Sequence, residues 1–236
     1  MTYLIAILLI LFIAFGIYKA GKLSASGALS GVVVAVVIFL DTRYRGLLVL
    51  LVFFTLGTLA SSWKKKEKQE QGFAQENEGA RTWKNVLANM GIAATISLSC
   101  FIFNLSEIWQ ASMVAAVASA TADTVASETG NITGSRYVNI TTLKQGVRGV
   151  DGSVSIEGTL AAALASIFIA AIWQLSGSGG YFTLIAVAGI IGSLADSVLG
   201  ATLQQKGILN NHSVNFWSTL IASVVFLSLA HLSAFI

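Results

Sequence analysis

No proline occurs in these 236 residues, and cysteine occurs once. Without proline there is no ring to kink a helix or set a cis bond, so breaks in the chain fall to glycine and polar residues. A single thiol, Cys100, excludes an internal disulfide; set in an apolar run, it reads as a small buried hydrophobe. The two histidines, His212 and His231, stand apart with no Cys/His spacing, which excludes a zinc site of the usual pattern. No Ser/His/Asp arrangement is evident either. Charge is also scarce, at 11% of residues, where soluble domains carry about 25%. What remains is 55% hydrophobic, with a mean hydropathy of +0.78. That composition belongs to a polytopic membrane protein. The net charge of +3 does not point to nucleic acid, because the basic residues fall in short loops between apolar runs.

Runs of about 17–25 apolar residues are the units that cross a bilayer. Eight segments qualify: Thr2–Tyr18, Ser26–Leu40, Gly46–Trp63, Asn85–Asn104, Ile108–Glu128, Glu157–Leu175, Tyr181–Leu203 and Val214–Phe235. The second is short and sets the doubt in the count. The first lacks a basic leader and a small-residue cleavage site, so it reads as a retained span. With eight spans, one side collects Lys19, Lys22, Lys64, Lys65, Lys66, Lys68, Arg81, Lys84, Arg136, Lys144, Arg148 and Lys206. The other side holds only Arg43 and Arg45. Basic loops stay cytosolic, so both termini are expected outside. The expected fold is a single all-α transmembrane bundle over residues 1–236, with long cytosolic loops at 64–84 and 129–155. The first of these begins with a basic cluster suited to anionic lipid headgroups.

Two stretches place carboxylates inside spans: Ala122-Asp123-Thr124-Val125-Ala126-Ser127-Glu128 and Ala195-Asp196-Ser197-Val198-Leu199-Gly200. A charge in such a run costs about 2.5–3.5 kcal/mol on insertion scales, so a repeated acid suggests use. Each aspartate lies fifteen residues past the outer end of its span, or about 22 Å into a core roughly 30 Å thick. Both therefore fall in the cytosolic half. Glu128, Asn89 and Glu157 are expected near the same level. The segments SATADT (119–124) and SLADS (193–197) suggest an internal parallel repeat. The fifth span is rich in Ala, Ser, Thr and Val from Ala111 to Ser127, the composition of a closely packed central helix. Asp41 and Glu107 read as loop acids.

Carboxylates beside a glycine-rich loop with basic residues suit phosphoryl chemistry. Hard divalent cations bind carboxylate oxygen and bridge phosphates, while Arg and Lys neutralise the remaining charge. The loop Gly146-Val147-Arg148-Gly149-Val150-Asp151-Gly152-Ser153 can offer backbone N–H groups to a phosphate, though it is not a Walker A sequence. A transporter or ion exchanger working through paired intramembrane acids is the alternative. It would want acids near the midplane and polar groups in the outer half, which the sequence does not offer.

The stretches LANMG (87–91), ATADTVASETG (120–130), ITTLKQGVRGVDGSVSIEGT (140–159), GIIGSLADSVLGATLQ (189–204) and NNHSVNFWS (210–218) resemble a family of integral-membrane proteins. That family includes phytyl-phosphate kinase and the vertebrate transmembrane protein nineteen. The resemblance covers nearly the whole chain. It implies transfer of a phosphoryl group from a nucleoside triphosphate to a prenyl or phytyl monophosphate, with CTP the donor by analogy to polyprenol kinases. The family's acidic motif falls on Asp123 and Glu128, its second Asp on Asp196, and its fourth-span Asn on Asn89. Where the family's loop has Asn before a Gly pair, this chain has Asp151-Gly152-Ser153, and Val147-Arg148 replace the prolines common before it.

The residues expected to act are therefore Asp123, Glu128, Asp196 and Asn89. The three acids would hold Mg²⁺. Arg136, Lys144, Arg148, Gly149, Asp151, Gly152, Ser153, Arg81, Lys84 and Asn215 would contact substrate and phosphate. The partners implied are an isoprenoid phosphate, a nucleotide and membrane lipids, with no nucleic acid; a homo-oligomer stays open. The membrane would be the plasma membrane in a bacterium or archaeon, with the active side cytosolic.

Overall fold

A computed structural model describes residues 2–72, 80–177 and 180–233. The middle of the 64–84 loop and the end of the eighth apolar run lie outside them. The elements are α1 (Thr2–Lys19), α2 (Ala25–Thr42), α3 (Tyr44–Ser62), a short α4 (Lys65–Glu70), α5 (Trp83–Phe103) and α6 (Glu107–Thr133). A two-stranded hairpin follows, β1 (Tyr137–Asn139) and β2 (Ser153–Ser155), then α7 (Ile156–Leu175) and α8 (Phe182–Leu199). A π-turn over Gly200–Gln204 links α8 to α9 (Asn211–Ser233). Among the described residues the fold is all-helical apart from the hairpin. Six helices among the described residues, α2, α3, α5, α7, α8 with its π-turn, and α9, are long and apolar enough to cross a membrane. α1 is a shorter apolar helix.

Local chemistry sets the helix ends. Ser24 and Ser155 cap α2 and α7 by accepting from the amides of Gly27 and Gly158, each at 3.1 Å. At the start of α5, Asn85 Oδ1 accepts from the Thr82 amide at 2.9 Å. Asn104 ends α5 in the left-handed conformation (φ 51°), a position open to asparagine. Without proline, α2 turns into α3 through Arg43 alone, at φ 57°. Its guanidinium lies over the rings of Tyr3 and Phe39.

α6 is the axis of the molecule and packs against α3, α5, α7, α8 and α9. Ala111 to Ala122 are buried without exception. The packing is close because the facing residues are small. A Cβ at Gly189 would stand 2.7 Å from Ala118 Cβ, and one at Gly192 would stand 2.3 Å from Ser119 Oγ. Gly158 similarly lets α7 meet α6, where a Cβ would lie 2.9 Å from the Ala126 carbonyl. Small residues allow such backbone approach where lipid supplies no hydrophobic drive. The central position expected of this segment is found.

Candidate functional site

α6, α7, α8 and the hairpin enclose a cavity of 270 Å³ at the end of the bundle nearest the hairpin. Asp123 reaches it from α6 and Asp196 from α8, and their carboxyl groups are close neighbours that act on each other's charge. Equal depth on two parallel neighbouring helices is what brings them together. α9 brings Ser218 beside Asp196, with the Ser218 hydroxyl donating to the Asn215 carbonyl at 3.0 Å. The second Asp196 oxygen, Oδ2, is buried with no hydrogen-bond partner among the described residues. A buried carboxylate oxygen without a donor leaves the Asp196 side chain a partner short, at the wall of a polar cavity.

The hairpin forms the lid. β1 and β2 pair antiparallel, with Tyr137 opposite Ser155, and Tyr137 Oη donates to the Gly130 carbonyl at 2.6 Å. Gly149, Asp151, Gly152 and Ser153 all line the cavity. Gly152 is required twice over. Its φ is +80°, and a Cβ there would fall 2.2 Å from Ala201 Cβ on the π-turn. Gln205 Nε2 donates to the Asp151 carbonyl at 2.7 Å, tying the same two segments. Burial pushes the Asp151 carboxyl above its usual range, and its charge reaches Asp196. Short π-segments often mark functional positions; here one delivers Gln204 to the cavity.

Other expected site residues lie elsewhere. Glu128 does not join Asp123 and Asp196. Its carboxylate takes a hydrogen-bonded ion pair from Lys68 Nζ at 2.5 Å, with both side chains almost fully buried. Five residues along a helix rotate about 140° from Asp123, so Glu128 faces α4 instead of the cavity. Asn89 also departs: its Nδ2 donates to the Asn85 carbonyl, and with Arg81 it lines a different cavity among α1, α2, α3 and α5. Lys84 is exposed on the first turn of α5 and lines neither cavity. Arg136 and Lys144 are exposed on the hairpin and do not line the acid-lined cavity. Arg148 donates to the backbone carbonyl of Asn131, a cavity-lining residue, and so stands at the rim. Asn215 lies on one face of α9 between Asn211, which lines the cavity, and Ser218; its Oδ1 is buried without a partner among the described residues. Glu157 accepts from the amide and hydroxyl of Ser135, fixing the base of the hairpin to α7.

Asn131, Tyr137, Gln204 and Asn211 at the cavity, and Ser218 beside Asp196, carry no individual signal in the sequence. Three of them fall within the quoted motifs, Gln204 in GATLQ and Asn211 and Ser218 in NNHSVNFWS, and that was the available signal. Asp41 and Glu107 are not loop acids. Asp41 lies in the last turn of α2 and accepts from Gln110 Nε2 at 2.7 Å, and Glu107 opens α6 and pairs with Arg45 at 2.8 Å. They make a polar cluster at the opposite end of α6 from the acids, in a half of the molecule expected to lack one.

The metal expectation changes with the geometry. No group of three or more His, Cys, Asp or Glu side chains able to hold a metal occurs among the described residues. The set Asp123, Glu128 and Asp196 therefore fails as a three-ligand site. The pair Asp123 and Asp196 still fits Mg²⁺, which binds through one or two carboxylates and completes its shell with water and substrate phosphate.

A bundle of apolar helices around a small-residue axis, with a carboxylate pair under a glycine-rich lid, defines an integral membrane protein with a polar cavity at one end. The chain belongs to the integral membrane protein family DUF92, which it matches over residues 8–223. An uncharacterized membrane protein of Methanocaldococcus jannaschii is 33% identical over 223 residues, covering 94% of this chain and 91% of that one. An uncharacterized membrane protein of Synechocystis is 34% identical over 198 residues, 82% of this chain and 77% of its own. Protein VTE6 of Arabidopsis thaliana, a chloroplastic protein, is 30% identical over 213 residues, 86% of this chain and 64% of its own. No solved structure matches the chain.

Proposed function

We propose that this protein is a membrane-embedded kinase that transfers a phosphoryl group from a nucleoside triphosphate to a prenyl or phytyl monophosphate. The observation that carries the proposal is the meeting of Asp123 and Asp196 beneath the hairpin, in a cavity lined also by Gly149, Gly152 and Ser153, with the buried Asp196 Oδ2 unpartnered among the described residues. The resemblance to a family containing phytyl-phosphate kinase supplies the substrate class, and CTP is the expected donor. The family match and the relationship to VTE6 support the membership on which this rests.

In this reading Asp123 and Asp196 would hold Mg²⁺, which would supply neutralisation of phosphate charge. The hairpin backbone around Gly149 and Gly152 faces the phosphates. Arg148 at the rim, with the exposed Lys144 and Arg136 on the same hairpin, offsets their charge. Asn131, Gln204 and Asn211 orient the nucleotide by hydrogen bonds. The acceptor's monoester oxygen is already a nucleophile, so no general base is assigned; positioning and charge do the work. Ala162, Ile190 and Leu194 give the cavity an apolar wall between α7 and α8. Leu194 is exposed there, and the isoprenoid tail would enter from the bilayer at that seam.

Eight crossings, adding α1 and α6 to the six apolar helices, fit the distribution of basic residues and put the cavity on the cytosolic side with both termini outside. The polar cluster at the outer end gives the transporter reading its one favourable observation. Against it, α6 between the two ends is buried, and Gly189 and Gly192 leave no room even for a methyl group. The test is phosphotransfer in detergent with Mg²⁺, a panel of nucleoside triphosphates, and phytyl or geranylgeranyl monophosphate. Diphosphate product with one donor preferred is expected. No product with any donor, together with cation flux in proteoliposomes, would replace this reading with the transporter.

A further inference from the structure

The second cavity, of 290 Å³, shares no lining residue with the first. Its walls come from α1, α2, α3 and α5 and are almost wholly apolar, with Ile13, Val34, Leu50 and Phe54 typical. Arg81 supplies its one charge, and Asn85 and Asn89 follow at four-residue intervals on the same face of α5. This arginine is held with unusual care. Its amide donates to the Lys22 carbonyl, and its own carbonyl accepts from the Ser24 amide, both at 3.1 Å. Gly27 admits that strand of backbone, since a Cβ there would fall 2.1 Å from the Arg81 carbonyl oxygen. Gly57 admits the guanidinium, which a Cβ would approach to 2.7 Å. The guanidinium lies 5.8 and 5.9 Å from the ring centres of Phe53 and Phe54. The charge of Glu128, itself paired with Lys68, reaches Arg81, but among the described residues no carboxylate lies within 4 Å of the guanidinium.

We propose that this cavity is a lipid site: it takes one acyl chain of an anionic phospholipid, whose phosphodiester binds Arg81. Three observations select that occupant. From Leu23, beside Arg81 just before α2, the lining continues to Ala35, ten residues beyond the start of that helix at Ala25, about 15 Å, or one leaflet of a core about 30 Å thick. A single arginine matches the single charge of a phosphodiester, and a guanidinium suits phosphate oxygens in a fork. Leu9, Leu48 and Leu51 line the cavity and are also exposed on the outside of the bundle, so a chain can enter sideways from the bilayer. Lys22, Lys64, Lys65 and Lys66 cluster at the same end, where they draw anionic headgroups toward the site.

Native mass spectrometry of delipidated protein tests this, with dioleoyl phosphatidylglycerol in one arm and geranylgeranyl monophosphate in the other. One retained phosphatidylglycerol per chain is expected for the wild type, falling at least fivefold in Arg81→Gln. Gly31→Leu, which fills the cavity and leaves the arginine in place, should lose the lipid equally. That variant has room to fold, since the nearest atom to a new Cβ is Leu23 Cδ1 at 3.9 Å. A Lys65→Gln/Lys66→Gln variant should keep its lipid. Retention unchanged in both cavity variants, loss only in the lysine variant, or preferential retention of the prenyl phosphate would each overturn the proposal. None of these readouts depends on Asp123, Asp196 or turnover, so the kinase reading stands or falls separately.

Discussion

Glu128 shows what a single side chain can and cannot reveal from sequence. A carboxylate five positions after Asp123, in a segment that resembles an acidic family motif, invites assignment to the same site. Helical rotation carries it to the opposite face, where it meets Lys68 in a nearly waterless contact. Breaking a buried pair from one side strands the other charge, so Glu128→Gln should cost about 3 kcal/mol of stability. Adding Lys68→Met should return most of it. Thermal or denaturant unfolding of the single and double variants measures this, and an additive loss in the double variant would refute the pairing. The two aspartates, by contrast, were legible. A carboxylate inside an apolar run is expensive enough to notice, and equal distance from the span ends placed both at one level. Arg81 and Asn89 line a different cavity from the aspartates, because depth does not say which face of the bundle a residue serves.

Among the elements, the eight apolar runs reappear as α1, α2, α3, α5, α6, α7, α8 and α9, with ends shifted by a few residues. Hydrophobic length is a strong signal, and the small-residue composition of α6 foretold its burial. The hairpin was not legible. Three-residue strands such as Tyr137-Val138-Asn139 carry no periodicity, and the surrounding Gly, Ser and Thr read as loop. The π-turn at Gly200–Gln204 likewise has no pattern of its own. Two substitutions test how these elements hold the cavity. Gly152→Ala, at φ +80° and against Ala201, should displace the lid, lowering nucleotide affinity at least tenfold and lowering the melting temperature as well. Gly192→Ala drives a methyl group into Ser119 and Ala222. It should cost about 1–3 kcal/mol by overpacking, read as a lowered melting temperature. Full stability and activity in both variants would show that close approach at these glycines is dispensable.

For the whole molecule, the central claim is that one end of a membrane bundle works as a metal-phosphate site and that this end faces the cytosol. With only one native thiol, Cys100, the orientation is straightforward to read. In a Cys100→Ser background, Lys66→Cys and Lys144→Cys should react with an impermeant maleimide only in inside-out vesicles, and Arg43→Cys only in right-side-out vesicles. The reverse pattern would invert the topology and place the hairpin outside. Catalysis is tested most directly by the rate of Mg²⁺-dependent phosphoryl transfer to phytyl monophosphate in Asp123→Asn and Asp196→Asn, against wild type and Glu128→Gln at matched folded concentration. Losses of at least about a hundredfold are expected for each aspartate, with Glu128→Gln far closer to wild type. Turnover within a few fold of wild type in either Asp variant would contradict the site.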